Sequence, residues 1–217
     1  MSLGAALAAL LPDAAAARTA VRIVLSNDLV RFAMLDGAHQ LRGAGEQDVA
    51  IRHRLRSIHG PVADTWRWTL HEGSSEAPAM IAAADGWLLD ALQKAVDVAA
   101  LRLRRIEPWL AVAARAGGAS GGTDLFVAAE ASKVVIATMR GSDVVGLRSV
   151  RLHNELVDEL PRILDQMHLI EGRDGRGKRV TLVSDATALP RFPEGLAWDI
   201  HVRAMDPTWL GRPGAHA

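Results

Sequence analysis

The sequence predicts an α/β fold of two related lobes, each a mixed sheet covered by helices. Apolar residues alternate at period two through residues 21–35, on both sides of the turn formers at 26–28, which predicts a hairpin. The pattern returns about a hundred residues later as a three-stranded meander at 124–129, 133–139 and 144–150. A meander followed by a helix, occurring twice, indicates two lobes that repeat one arrangement.

The first lobe continues with helices and strands that alternate. Ile51, Leu55 and Ile58 form one helical stripe within 43–60, and glycine followed by proline ends that helix. Asp85 is a suitable N-cap for a second amphipathic helix. The remaining predicted elements are strands at 65–71, 79–84 and 101–106 and a short helix that starts at Pro108. The strand at 101–106 is predicted to have one solvent-exposed face.

Glycine and serine at 117–122 (GGASGG) predict a flexible linker between the lobes. In the second lobe, Asn154 is expected to cap a helix that reaches about residue 170, with a kink or break near Leu160 because Pro161 lies inside it. Strands at 180–184 and 198–203 close the fold. The predicted organisation is therefore a first lobe at 1–116, the linker at 117–122, a second lobe at 123–205 and a loose tail at 206–217.

Composition excludes several classes of function. Twenty-five basic residues balance 25 acidic ones, so a general nucleic-acid binder is not expected. The chain has no cysteine, which excludes disulfides, thiol catalysis and zinc held by cysteine. No apolar run approaches the roughly 20 residues that span a bilayer. The alanine-rich segment 1–17 is expected to form a short helix. A weak signal sequence is the alternative, and the helix is preferred because no basic residue precedes the apolar part of the segment.

Three patterns that resemble catalytic or ligand sites have plainer explanations. The segment 172–178 (GRDGRGK) is close to a phosphate-binding P-loop, but Arg179 replaces the magnesium-binding hydroxyl and the loop precedes a strand, so we interpret it as a solvated turn. The histidines show no metal-binding spacing, and no metal site is predicted. The acidic residues at predicted strand ends, Asp28, Glu130 and Asp185, are too few for a two-metal nuclease.

One surface carries residues suited to binding a partner. The first long helix presents Arg52, Arg54 and Arg56, which could meet phosphate, acidic lipid or an acidic protein, or form an ordinary solvated face. Trp66 and Trp68 share one face of the following strand, where core packing is the alternative to an interface.

The element order, with VLSNDLVRFAML at 24–35 and the later segments WRWTL, IAAADGWLLDALQ and IEPWL, resembles the actin-like cytoplasmic proteins of bacterial pilus and type II secretion machines. These are the M-type protein of type IV pilus assembly and the cytoplasmic part of the L-type protein of type II secretion. The resemblance implies the actin-like ATPase fold of two ribonuclease-H-like lobes. It extends over about residues 21–203.

Members of this family that bind ATP do so with three loops, and this sequence departs from all three. Glycine with aspartate is expected at both hairpin turns, but residues 25–29 (LSNDL) and 128–132 (AAEAS) contain no glycine. A glycine pair is expected in the adenine loop, where residues 183–187 (VSDAT) have none. Side chains at such turns obstruct close approach of the backbone to phosphates. We therefore expect no catalytic residues, no cofactor and no useful ATP binding.

The resemblance implies a non-catalytic adaptor or scaffold in a type IV pilus or type II secretion assembly. Its expected partner is the short cytoplasmic tail of an inner-membrane assembly protein or another actin-like subunit, which would bind near Arg52, Arg54, Arg56, Trp66 and Trp68. The expected location is cytoplasmic or peripheral to the inner membrane, and a homodimer is left open. Two alternatives remain: a nucleotide-binding protein with divergent loops, and a ribonuclease-H-like enzyme.

Overall fold

The computed structural model describes residues 19–74, 77–117, 123–171, 178–185 and 189–205. The alanine-rich segment 1–17, most of the predicted linker, nearly all of the P-loop-like turn and the tail at 206–217 lie outside the described residues. Contacts between Cα atoms divide the chain into two compact units. The first unit comprises Met1–Glu72 and Ala79–Trp109, and the second comprises Gly73–Pro78 and Leu110–Ala217. This division falls earlier than the predicted boundary at 116 and assigns one loop of the first half to the second unit.

The first unit contains five strands and two α-helices within the described residues. In chain order these are β1 (Ala20–Leu25), β2 (Val30–Leu35), α1 (Ala44–His59), β3 (Trp66–His71), β4 (Ala79–Asp85), α2 (Gly86–Val98) and β5 (Arg102–Pro108). Short 3-10 helices at Ala38–Gln40 and Pro61–Thr65 flank α1. Within the described residues, each strand and helix predicted between 21 and 106 is present, with ends that differ by one or two residues.

The strands of the first unit form two separate sheets. β1 pairs in parallel with β5, whereas β2, β4 and β3 form an antiparallel sheet in that order. The predicted hairpin at 21–35 is therefore wrong in its pairing, although both strands exist. The turn between them closes with a 3.0 Å bond from the Leu29 amide to the Ser26 carbonyl, but β2 takes β4 as its partner.

Alternation along the three-stranded sheet explains why it needs two helices. Ala33, Leu35, Ile81 and Ala83 pack with Ile51 and Leu55 of α1 on one face. The residues between them on the same strands pack on the other face against α2, namely Val30, Phe32, Ala82 and Ala84. Because side chains alternate across a strand, a strand buried on both faces must be apolar throughout, as β2 and β4 nearly are.

The second unit has one continuous sheet. In chain order its elements are α3 (Trp109–Gly117), β6 (Leu125–Glu130), β7 (Lys133–Arg140), β8 (Asp143–Arg151), α4 (Leu156–Glu171), β9 (Arg179–Ser184) and β10 (Asp199–Ala204). The first residue of α3, Trp109, is the last residue of the first unit. The strand order is β10-β9-β6-β7-β8. β6, β7 and β8 form the predicted antiparallel meander, and β9 lies parallel to both β6 and β10.

The core of the second unit lies between this sheet and α4. Val127, Ile136 and Leu182 from the strands are fully buried against Leu160 and Leu164 of the helix. The helix runs through Pro161 without the predicted break, because burial of the residues beside it outweighs one missing backbone hydrogen bond. Whether Pro161 kinks the helix stays untested.

The start of α4 differs from the predicted cap. The helix begins at Leu156, which places Asn154 two residues before it and outside the N-cap position. Instead, the Glu159 carboxylate accepts hydrogen bonds from the backbone amides of His153 and Asn154 and from the Asn154 side chain, at 2.8–3.2 Å. These bonds lower the pKa of Glu159.

Candidate functional site

The predicted partner-binding arginines are exposed on α1, and each has a neighbour that accepts from it or balances its charge. Arg52 forms a 2.8 Å ion pair with Asp48, one turn earlier, which raises the pKa of Arg52. Arg56 approaches Asp64 at 3.3 Å, and the Nε atom of Arg54 donates to the Met34 carbonyl at 2.9 Å. The arginine face is therefore less positive than the sequence suggests.

Trp66 and Trp68 lie on the same face of β3, as predicted, and that face packs on the α1 core cluster. Both indoles are half-buried. The Trp66 ring lies 5.0 Å from the His59 ring, and burial lowers the pKa of His59. The two indoles thus serve as core residues with part of their surface accessible, and their role in partner binding stays a prediction.

A concavity of the first unit lies on the opposite face of the same sheet. It has a volume of about 270 Å³. Its apolar wall comes from β4, α2 and the ends of the β1–β5 pair, through Leu25, Val30, Ala82, Ala84, Leu89, Ile106 and Pro108. This volume lies near the lower end of small-molecule pockets, which are typically about 300–1,000 Å³, and it suits one apolar side chain or a short extended segment.

Charged residues at this cavity are already paired. Arg67 and Asp90 form a 2.7 Å ion pair, and both side chains are more than half exposed. Glu107 is buried, and its carboxylate lies 3.3 Å from Arg22 and 3.4 Å from Arg105. The sequence analysis missed Arg67, Asp90 and Glu107. Arg67 and Asp90 lie on elements that are far apart in sequence. Glu107 follows the predicted strand 101–106, whose alternating pattern predicted one solvent-exposed face.

Two backbone amides of the turn that would be the first phosphate loop donate to Ser26 within that turn. The Asp28 amide donates to the Ser26 hydroxyl at 3.1 Å, and the Leu29 amide donates to the Ser26 carbonyl. Asn27 is fully buried within this turn. The amides of Asp28 and Leu29 are therefore already used inside the turn.

The described parts of the two corresponding loops of the second unit also use backbone groups in hydrogen bonds. Glu130 pairs with Lys133 across the turn between β6 and β7, and the Ser132 carbonyl accepts the Leu152 amide at 2.8 Å. At the end of β9, the Asp185 amide donates to the Ala129 carbonyl at 3.2 Å, and burial raises the pKa of the Asp185 carboxyl. Residues 186 and 187 of the predicted adenine loop lie outside the described residues.

The described residues contain neither a cluster of metal ligands nor a membrane-spanning helix. Histidine, aspartate and glutamate do not gather there in any group of three or more that could hold a metal ion. Within the same ranges, no helix has both the length and the apolar character needed to cross a membrane.

Comparison with known proteins places the fold. The chain is similar to the PilM–PilN type IV pilus biogenesis complex, with a TM-score of 0.65 and 14% identity over 95% of this chain and 75% of that one. It is similar to the cytoplasmic domain of EpsL, an inner-membrane component of the type II secretion system of Vibrio cholerae, with a TM-score of 0.58 and 12% identity over 89% and 74% of the two chains.

A third similar structure is a protein of unknown function from Bacteroides thetaiotaomicron with an actin-like ATPase fold. Its TM-score is 0.54, at 9% identity over 86% of this chain and 69% of that one. No family model matches the sequence, and no curated protein matches it significantly. At these identities the similarities establish the fold, and the predicted actin-like α/β fold is confirmed.

Proposed function

We propose that this protein is a non-catalytic, actin-like adaptor or scaffold in a type IV pilus or type II secretion assembly. The observation that carries the proposal is the similarity of its fold to a pilus biogenesis complex and to the cytoplasmic domain of a secretion component. The proposed location is the cytoplasm, at or near the inner membrane. The proposed partner is the cytoplasmic tail of an inner-membrane assembly protein or another actin-like subunit.

The first unit offers a surface for such a tail. The cavity between β4 and α2 can accept an apolar side chain, and the ion pair of Arg67 with Asp90 beside it can exchange partners with charges on an incoming peptide. Arg52, Arg54, Arg56, Trp66 and Trp68 remain the predicted contacts on the α1 side. Arg52 and Arg56 are the better residues to substitute on that side, because their side chains are exposed and their replacement does not disturb the packing of the core.

A binding experiment tests the adaptor role. The full chain is used to capture the membrane protein encoded next to it, and binding is measured for the wild type, for Ala82→Met, which fills the cavity, and for Arg52→Glu with Arg56→Glu. Arg162→Glu is the control, since Arg162 is exposed on α4. Loss of capture in either test variant supports the proposed surface. Unchanged capture in both would exclude it, and absence of pilus or secretion genes nearby would remove the basis for the assembly role.

A second experiment tests the non-catalytic part of the proposal. Triphosphate binding on this fold requires backbone amides at the two hairpin turns, and those at Asp28 and Leu29 are used within their own turn. Losing two such hydrogen bonds to a charged group, at about 1.5–3 kcal/mol each, moves a micromolar affinity towards millimolar. Isothermal titration with Mg-ATP is expected to show no binding tighter than about 50 μM. Tighter binding would favour the nucleotide-binding alternative.

A further inference from the structure

The two units differ at the strand that follows α2 in the first unit and α4 in the second. In the second unit this strand is β9, which pairs with β6 on one side and with β10 on the other. In the first unit it is β5, which pairs with β1 on one side only. Among the described residues, nothing hydrogen-bonds to the outer edge of β5 over residues 102–106. No described strand therefore fills, beside β5, the place that β10 fills beside β9.

An open edge of this kind is a site where another strand can add. Its unpaired amide and carbonyl groups form a template for another strand, and proteins usually cover or blunt such edges. Added strands obtain their affinity from main-chain hydrogen bonds and their specificity from alternate side chains. Pro108 limits the template at one end, because its nitrogen carries no hydrogen.

The filled edge of the second unit shows which kind of strand fits. β9 begins with Arg179, and β10 begins with Asp199, whose carboxylate lies 3.9 Å from the Arg179 guanidinium. The next alternate residues of β10, Ile200 and Val202, pack against the core. The pattern is an acidic residue followed by apolar residues at alternate positions, in a strand parallel to its neighbour.

The open edge has the matching half of this pattern. β5 also begins with an arginine, Arg102, and Arg104 follows at the irregularity where the register of β5 with β1 shifts by one residue. Both side chains are exposed, and neither has an ion-pair partner in the part of the chain that the structure describes. Leu103 and Ile106 face the α2 clusters, so an added strand would extend an apolar surface there.

We propose that the outer edge of β5 binds an extended acidic–apolar segment of a partner protein as a parallel strand, in the place that β10 occupies on β9. A second copy of this chain is a poorer occupant. Two β5 edges that paired would bring their arginine-rich strands together, and like charges on adjacent strands are destabilising. This inference does not depend on a pilus or secretion role, because it rests on the edge alone.

The probe for the experiment is a synthetic peptide of residues 197–205 with blocked ends, since this segment already has the required pattern. It is titrated by fluorescence anisotropy into the full-length protein, and backbone hydrogen exchange is followed with and without it. We expect saturable binding, with new protection of amides in 102–106. Two N-methylated versions, blocked at alternate residues in opposite frames, should differ: one frame should abolish binding and the other should tolerate it, because only one set of amides faces β5.

Charge is tested from both sides. Arg102→Glu with Arg104→Glu, and separately the peptide with Asp199→Lys, should each weaken binding about fivefold or more, the upper range for exposed ion pairs. Arg162→Glu is the matched control and should leave binding unchanged. The peptide variants keep the test decisive even if the double variant of the protein folds poorly.

Several outcomes would overturn the inference. These are absence of saturable binding, equal binding of the two N-methylated frames, or protection that appears elsewhere than β5. In the free protein, exchange of the amides of 102–106 that is as slow as exchange in the central strand β6 would show that the edge is already covered. If the amides of 102–106 became protected when the protein concentration was raised without peptide, the edge would be assigned to a second copy of the chain.

Discussion

The two units share a core order of three strands, a helix and a strand, with α1 and β3 inserted between the second and third strands of the first unit, yet they build different sheets. In the second unit, β6, β7, β8 and β9 join β10 in one continuous sheet. In the first unit, the corresponding strands β1, β2, β4 and β5 are divided between a pair and a three-stranded sheet. The difference arises in the connection between the second and third of these strands. In the second unit, a tight turn at Gly141 joins β7 to β8, whereas in the first unit residues 36–78 join β2 to β4.

The long connection explains the division. It contributes α1 and β3, and α1 brings Ile51 and Leu55 into a core cluster of its own on one face of the three-stranded sheet. β2 is therefore held by β4 at its edge and by helices on both faces. These contacts fix its position more strongly than the four-residue turn that links it to β1. A sheet gains independent stability from what covers it, so an inserted helix can detach strands from their sequence neighbour.

The largest expected effect tests whether the two cores are independent. Leu164→Ala removes a fully buried side chain from the core of the second unit and is expected to lower its free energy of unfolding by about 2–5 kcal/mol. Hydrogen exchange resolved by segment should show faster exchange in β6, β7 and β9. Exchange in β2 and β4 should remain unchanged.

Leu55→Ala is the reciprocal variant, because Leu55 is fully buried in the first unit. It should accelerate exchange in β2 and β4 and spare the second unit. If either substitution loosened both units equally, the chain would behave as one cooperative core and the comparison would fail.

The next effect concerns the junction at which β4 passes directly into α2. A Cβ atom at Gly86 would lie 2.7 Å from the Thr65 backbone carbonyl oxygen, so Gly86→Ala is expected to destabilise the first unit by about 1–3 kcal/mol. Gly45→Ala is the control in the same unit. Nothing lies within 4 Å of its Cβ position on α1, and it should stabilise by about 0.4–1 kcal/mol. Urea denaturation of both variants measures the difference, and equal effects would refute the steric explanation.

A smaller effect is expected at the start of α2. The Asp85 carboxylate accepts the Trp87 amide at 2.8 Å, as an N-cap does. Asp85→Ala should cost about 1 kcal/mol of unfolding free energy, while Asp85→Asn should retain most of it because asparagine also caps. Urea denaturation of the two variants distinguishes capping from a general charge effect, which would make asparagine as harmful as alanine.

The smallest effect concerns the start of α4, which uses a different device. The backbone bonds from His153 and Asn154 lower the pKa of Glu159 below its unfolded value. Such a carboxylate contributes stability above its unfolded pKa and loses it as the pH falls through the folded pKa. Glu159→Gln should therefore reduce stability modestly at neutral pH, and the difference from wild type should shrink below about pH 4. A difference that stays constant between pH 7 and 3 would contradict this account.

Much of the architecture could be predicted from the sequence because it is local. Period-two alternation located β1, β2 and the meander of β6 to β8, and helical stripes located α1, α2 and α4. Asp85 was identified correctly as a cap because an N-cap acts within one turn of its helix. Arg54, Trp66 and Trp68 were located on the correct elements and faces for the same reason.

What only the tertiary structure decided depends on residues far apart in the chain. The turn at 26–28 could not show that β2 would pair with β4, because that choice is made by α1 and α2 packing on its two faces. Arg67 and Asp90 meet across one cavity although no spacing links them. Burial of Glu107 between Arg22 and Arg105 required strands from both ends of the first unit. The open edge of β5 is likewise invisible in the sequence, since pairing is a property of neighbours in space, and alternation specifies only the faces of a strand.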